Sequence, residues 1–410
     1  MTQRLQSGWD AALHIIQSLR ADGHQAVLAG GCVRDMLLSR TPKDYDVATN
    51  ATPDRVGELF PKARRVGAKF GVMLVRKFGQ DIEVATFRSD GTYSDGRHPD
   101  QVTFGTEVED ARRRDFTVNG MFYDPIDDRI IDYVDGQRDL RDRIIRTIGD
   151  PVRRLTEDHL RTLRAVRFAA ALGFEIDATT LSAIRELAPQ LPGISAERIW
   201  MELSLLLTHP SRAAAWCLLV STGLCHYLAP SWAIPPGDLV GKRLESLSTA
   251  PIGEPLALAA VWADESPALV RQLADELRLS NRLTDATVWL VRHLPLAQND
   301  AALELADLKL MMAGEHWPPL LDLLRADLLA RGESTDPYTR ICTRAGQIPP
   351  EAVAPPPLLT GQDLLTLGFP QGPAFGEIIR AAYRAQLNER LTTKTAAMEF
   401  ARRELARLNG

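Results

Sequence analysis

Over the first 150 positions the apolar residues change period repeatedly, and beyond that point they recur almost wholly at helical spacing. The runs Gln25 to Ala29, Asp44 to Thr49, Gly71 to Phe78 and Asp81 to Phe87 are each bounded by Gly, Pro, Asn or Asp and predict strands with helices between them. One helix start is explicit: Thr52 is a good N-cap, Pro53 suits the first helical position, and Asp54 meets the positive first turn. From Pro151 onward the chain is rich in Leu, Ala and Arg, and loops at Pro230 to Gly237 and Pro251 to Pro255 divide it into helical packets. Five prolines between Pro349 and Pro357 predict a stiff, extended linker that cannot continue a helix. The pattern predicts an α+β chain: a mixed head over residues 1–150, helical segments over 151–208 and 209–348, and a linker with a small helical tail over 349–410. No fixed-period repeat is present.

Composition narrows the class. The 410 residues, 45% hydrophobic and 25% charged, suit several globular units at about 100 to 200 residues each and exclude a disordered or fibrous chain. A net charge of −5 argues against a uniformly basic coat for nucleic acid. The exception is local. Residues 138 to 168 carry nine arginines against five acids, a balance of +4 that suits a phosphate-bearing ligand in one place, although a helix face stitched by ion pairs explains it as well. The four cysteines form no CxxC pair, which fits a reducing compartment and predicts a cytoplasmic protein without a disulfide framework. The N-terminus lacks a secretory layout, and no apolar run reaches 18 residues, so no membrane partner is expected.

The stretch LAGGCVRDMLLSRTPKDYDVATNATPDRV, residues 28–56, carries the first chemistry. Gly30 and Gly31 end a strand and open a helix, where missing side chains let backbone N–H groups approach a phosphate; a GG pair alone also reads as a tight turn. Asp44 and Asp46, at i and i+2 on a predicted strand, share a face. Two carboxylates so placed repel one another unless a cation sits between them, and hard oxygen ligands favour magnesium; exposed acids at a strand end are the alternative. Glu83, on a neighbouring predicted strand, is the third carboxylate candidate, which an exposed sheet face explains equally. In EDHLRTLRAVRF, Asp158 and Arg161 stand at i and i+3 on a predicted helix whose apolar side is Leu160, Leu163, Val166 and Ala170. A carboxylate beside a guanidinium can accept from an exocyclic amine and donate to the adjacent ring nitrogen, the pattern on the Watson–Crick edges of cytosine and adenine and the reverse of that on uracil and guanine. A surface ion pair is the plainer alternative. Ser89 to Gln101 is rich in Gly, Pro and short polar residues and predicts a mobile loop. No His-Asp pair, HExxH or GxSxG occurs, which disfavours three hydrolase classes.

The order GGCVRD, DYD, EVATFR, RRDFTVNG, DGQRDL, EDHLRTLRAVRF, ISAER, dense from about residue 25 to 208, resembles the bacterial class II tRNA nucleotidyltransferases, the CCA-adding enzymes, a family that includes bacterial poly(A) polymerases. The segment GQDLLTLGFPQGPAFG, residues 361–376, is loosely similar to the family's tail, where Gly372 to Gly376 would open a helix near tRNA phosphate. The resemblance implies a polymerase β-type nucleotidyltransferase head followed by an all-α neck, body and tail that grip tRNA. It implies that Asp44 and Asp46 hold two magnesium ions, that Gly30, Gly31 and Arg34 bind the triphosphate of CTP or ATP, and that Asp158 and Arg161 template the base. Arg113, Arg114, Asp115 and Asn119 fall in the motif implied to bind the sugar, and Glu157, Arg164 and Arg167 in its helical neighbour. Arg88, Asp90, Tyr93, Arg97 and His98 fall in the element implied to switch addition from C to A. A poly(A) polymerase is the nearest rival; GAKFGV, residues 67–72, resembles the CCA-adding branch instead. Partial CC- or A-addition, a catalytically silent tRNA-binding protein and a small-molecule adenylyltransferase are further readings.

Overall fold

A computed structural model describes residues 2–67, 71–91, 102–234, 238–369 and 373–409. The chain divides into two compact units, Met1–Leu206 with Ala214–Ile234, and Leu207–Ala213 with Pro235–Gly410.

The first unit opens with helix α1 (Thr2–Ala21) and then alternates strands and short helices: β1 (Ala26–Ala29), α2 (Gly31–Leu37), β2 (Asp46–Thr49), α3 (Pro53–Leu59), β3 (Arg64–Gly67), β4 (Val72–Lys77), β5 (Gln80–Thr86), β6 (Arg88–Asp90), β7 (Val102–Phe104), α4 (Glu107–Arg112), β8 (Phe122–Asp124), β9 (Arg129–Ile131), α5 (Gly136–Asp142) and β10 (Ile144–Ile145). Seven strands form one mixed sheet in the order β3-β4-β5-β2-β1-β8-β9. Strands β2 and β5 run parallel, with Val47 opposite Val84, and the other neighbours are antiparallel. Every residue of β1 is buried, as a strand covered on both faces requires. Helix α1 supplies part of that cover: Ala11, Ala12, Ile15, Ile16 and Leu19 form one fully buried stripe against β1, β2 and β5.

The four expected strands are present, and α3 starts as expected, with Thr52 Oγ1 accepting the Arg55 amide at 3.3 Å. The boundaries differ. Strand β2 begins at Asp46 rather than Asp44, because β1 ends at Ala29 opposite Asp46 and Gly30, at φ 74°, turns the chain into α2; Asp44 therefore precedes the strand and is exposed. Ser89 and Asp90, expected at the start of a loop, belong to β6, which pairs with β7. Of the residues expected in that loop, Tyr93, Arg97 and His98 lie outside the described residues.

The unit continues through α6 (Pro151–Glu157), α7 (Leu160–Leu172), β11 (Glu175–Ile176), α8 (Ala178–Leu187), α9 (Ala196–Leu207) and α10 (Arg212–Ser221). Asp158 does not sit on a helix as the spacing predicts. Its backbone is extended, at φ −151° and ψ 103°, and ends α6; its carboxylate accepts the Leu160 amide at 3.1 Å and so starts α7.

The second unit is all-helical apart from its loops. Its core encloses the fully buried Arg243, which donates to Asp327 at 2.6 Å, to Asp264 at 2.8 Å and to the Ala260 carbonyl at 2.9 Å, so the buried charge is paired. The proline-rich segment is only partly the extended linker expected. Pro350–Val353 form a helical turn, since proline is tolerated in a helix's first turn, and Pro355 to Pro357 follow it without regular structure. The tail begins with Gly361–Thr366, and its next helix starts at Pro373, so Gly372 lies outside the described residues. Among the described residues no helix is long and apolar enough to cross a membrane.

Candidate active site

The end of β1, the first residue of β2, the turn after α4 and the α6–α7 junction converge on a cavity of about 480 Å³ in the first unit. Of the residues singled out from the sequence, Gly30, Gly31, Arg34, Asp46, Arg113, Arg114, Asp115, Asn119, Asp158, Arg161 and Arg164 line it. Asp44, Glu83 and Arg167 do not. The lining holds six arginines against three aspartates, an excess of positive charge suited to a polyanion.

The glycine turn makes room for that charge. A Cβ on Gly30 would stand 2.8 Å from Arg114 Nη1, and the φ of 74° favours glycine independently. A Cβ on Gly31 would meet only Arg34 Nη2, at 3.8 Å. The arginines are held from behind. Arg34 donates to Asp35 at 2.7 Å and to Asn119 Oδ1 at 2.7 Å. Arg113 and Arg114 share the buried Asp110, at 2.7 and 3.0 Å. Burial raises the Asp110 pKa, but the two guanidiniums outweigh it and hold the carboxyl below its ordinary value. The Phe168 ring lies under three guanidiniums, those of Arg167 at 4.3 Å and of Arg34 and Arg164 at 5.3 Å each.

Asp46 faces the opposite electrostatic situation. Burial first, then the charges of Asp44 and Glu83, push its carboxyl up to about 7, with Arg114 acting in the other direction. Among the described residues the carboxylates of Asp44, Asp46 and Glu83 have no hydrogen-bond or ion-pair partner. Hard oxygen donors that repel one another fit a divalent cation of the magnesium type. Glu83 sits on β5, the parallel neighbour of β2, and its charge reaches Asp46, yet among the described residues no three His, Cys, Asp or Glu side chains converge as a metal-binding group.

On the helical side, Asp158 and Arg161 both face the cavity but are not paired with each other. Asp158 Oδ2 accepts from Arg198 at 2.7 Å. Arg161 donates to Glu157 Oε2 at 2.7 Å and to the Arg154 carbonyl at 2.7 Å. The surface ion pair that the spacing allowed is absent from this arrangement because Asp158 stands off the helix. Arg164 donates to Asp115 and Glu202, and Arg167 to the other oxygen of Glu202 at 2.6 Å.

Residues 26–146 match the family model described as the poly A polymerase head domain, and residues 173–234 that of a probable RNA and SrmB-binding site of polymerase A. A CCA-adding enzyme from Geobacillus sp. (strain WCH70) is 46% identical over 218 residues, 53% of this chain and 54% of its own length. A poly(A) polymerase I from Haemophilus influenzae is 40% identical over 234 residues, 54% of this chain and 51% of its own. The chain thus spans about half the length of these curated relatives. The crystal structure of the Bacillus stearothermophilus CCA-adding enzyme in complex with CTP is similar throughout, at 32% identity and TM-score 0.80, over 98% of this chain and 99% of that one. This chain belongs to the CCA-adding enzyme and poly(A) polymerase family. Three residues at or behind this cavity were passed over in the sequence: Arg198 and Phe168, which line it, and Glu202, which holds Arg164 and Arg167. Each had a signal. Arg198 closes the ISAER motif, Glu202 follows it at i+4, and Phe168 follows Arg164 at i+4, so helical spacing places each beside a residue already suspected.

Proposed function

We propose that the chain is a tRNA nucleotidyltransferase that adds CCA to the tRNA 3′ end from CTP and ATP without a nucleic-acid template. One observation carries the reading: a single cavity unites a glycine turn, Asp46, six arginines and a separately held Asp158 and Arg161, so a triphosphate and a base edge can be bound together. The relative crystallised with CTP supports it.

In the reaction the RNA 3′-hydroxyl oxygen bonds to the α-phosphorus, the bond from that phosphorus to its bridging oxygen breaks, and pyrophosphate and the hydroxyl proton leave. Asp44 and Asp46 would hold two magnesium ions, which when bound supply charge neutralisation at the triphosphate and acidify the attacking hydroxyl. Gly30 and Gly31 leave the backbone open to the phosphates, and Arg34, Arg113 and Arg114 neutralise them. Asp115 and Asn119 hold the loop that faces the sugar, and Glu83 adds to the negative field that favours the cations. Asp158 accepts from the exocyclic amine of cytosine or adenine, and Arg161 donates to the adjacent ring nitrogen. Arg164 and Arg167, fixed by Glu202, close the positive wall. The helical segments 209–348 and 349–410 serve as the tRNA-holding body and tail, and the protein works in the cytoplasm.

The Haemophilus relative favours a second reading, a poly(A) polymerase. The net charge of −5 weighs against it, since sequence-indifferent addition to many RNAs suits a broadly basic protein. Incubating the chain with tRNA lacking its 3′ end, magnesium and each nucleoside triphosphate singly separates the readings. Incorporation of CTP first, with ATP entering only after two cytidines, supports CCA addition; ATP added repeatedly alone supports the rival; no incorporation removes both.

A further inference from the structure

The tail folds around a core of its own. Leu364, Ile378, Ala382 and Ala401 belong to one buried apolar cluster drawn wholly from positions 359–401. Charged and polar groups join this tail to the body. The Arg384 guanidinium, on the tail helix Pro373–Leu387, donates to Asp307 at 2.6 and 3.0 Å and to Glu304 at 3.0 Å. Both acids stand at the start of the body helix Leu305–Met312, Glu304 as its N-cap residue and Asp307 in its first turn. Glu304 makes no capping bond there. The tail's Asn388 takes that place: its Oδ1 accepts the Ala306 amide at 2.8 Å, an orphan donor of the first turn, and its Nδ2 donates to Glu304 at 3.2 Å. Lys309, on the same body helix, donates to the tail's Glu389 at 3.1 Å.

We propose that the tail is an arm that pivots about Ala354 as a folded unit, held shut on the body by an ionic latch of Arg384 with Glu304 and Asp307. The pivot follows from how the proline segment divides. The turn Pro350–Val353 packs against the body helix Leu305–Met312. From Pro355 onward the chain is bound to the tail instead: Tyr383 donates to the Pro355 carbonyl at 3.1 Å, Gln386 Nε2 to the Pro356 carbonyl at 2.9 Å, and Gln386 Oε1 accepts the Leu358 amide at 2.8 Å. Ala354 lies between the two attachments. The latch itself is accessible to solvent, with side-chain exposures of 44% for Arg384, 46% for Glu304 and 30% for Asp307, so it is weak and screened by salt. Lys309 is the opposite: its side chain is 4% exposed in the closed arrangement and its acid partner comes from the tail, so lifting the arm bares a hidden amine. In the reading above residues 349–410 hold tRNA, and an arm hung in this way adjusts to the RNA without disturbing the catalytic cavity. The inference stands apart from that reaction, because its test reads a lysine and not turnover.

The test acetylates the amines of the full chain under native conditions and reads each lysine by mass spectrometry, alongside hydrogen exchange of the helix Pro373–Leu387. At low salt Lys309 is expected to label slowly, and Lys394, 63% exposed and paired with Asp363 inside the tail, to label fast. R384Q is expected to speed Lys309 about fivefold, which is what losing exposed ion pairs of this kind is worth. Salt raised to about 1 M, where screening acts within ~3 Å, should do the same to the native chain. Lys394 labelling and the exchange of the tail helix should not change. Adding E304Q and D307N to R384Q is expected to change nothing further, because the three side chains form one latch. Lys309 labelling indifferent to salt and to R384Q would overturn the proposal. So would additive effects, or exchange of the tail helix rising together with Lys309, which would mean that the tail melts instead of lifting. Should R384Q not fold, E304Q/D307N decides on the same criteria. A native chain that incorporates no nucleotide would remove the proposed reaction and leave this readout intact.

Discussion

Arg164 reaches from α7 to Asp115 and donates through Nε at 2.9 Å and Nη2 at 2.7 Å to one carboxylate oxygen, Oδ2. The other oxygen accepts the Phe116 amide at 2.8 Å and Asn119 Nδ2 at 3.2 Å. One buried carboxylate thus joins α7 to the turn after α4. Replacing Arg164 with alanine leaves that charge without its counter-ion and is expected to destabilise the first unit by about 3–5 kcal/mol. Asp115→Asn, which keeps the shape, should cost less, and denaturant midpoints of the two variants check the order.

The same pair sets a pH dependence. Burial raises the Asp115 pKa, but Arg164 first, then the hydrogen bonds, outweigh it and hold the carboxyl below its ordinary value of 3.8. A carboxyl whose folded pKa is depressed adds stability that is present above its unfolded value and lost as pH falls through the folded one. Native protein should therefore lose this stabilisation only below about pH 3.8, and Arg164→Ala should remove that acid-side dependence. Thermal midpoints followed from pH 6 down to about 3 measure it.

The glycine pair separates into two different requirements. Gly30→Ala must place a Cβ 2.8 Å from Arg114 Nη1 at a φ of 74°, whereas Gly31→Ala meets its first neighbour at 3.8 Å. The expectation is a loss of about 1–2 kcal/mol for Gly30→Ala and a change within about 0.5 kcal/mol for Gly31→Ala. Equal losses by urea unfolding would contradict the account of the turn.

Asp44→Ala and Asp46→Ala are each expected to abolish nucleotide incorporation while leaving tRNA affinity largely intact, because the proposed reaction assigns them to hold the cations. Turnover retained in both would remove that assignment. Asp158→Ala is expected to relax discrimination against UTP and GTP, read as the ratio of incorporation rates on the same tRNA.

Much of this was legible in the chain because local chemistry and tertiary need agreed. The Thr52 cap, the apolar β1 and the Arg-rich face of α7 are each dictated by a few neighbouring residues. The departures come where a distant partner decides. Asp44 falls outside β2 because β1 stops opposite Asp46, and Asp158 leaves the helix because the Leu160 amide and Arg198 take its oxygens. Strands as short as β6 and β8, three residues each, carry too little alternation to be seen before their partners are known.

The central claim is most directly tested by sequencing the 3′ ends made when the chain meets tRNA truncated before its terminal CCA, with magnesium and all four nucleoside triphosphates present. The account predicts ends carrying C, C and A and nothing beyond, with native protein only and not with Asp46→Ala. Homopolymeric adenosine tails, mixed nucleotides or unextended ends would contradict it.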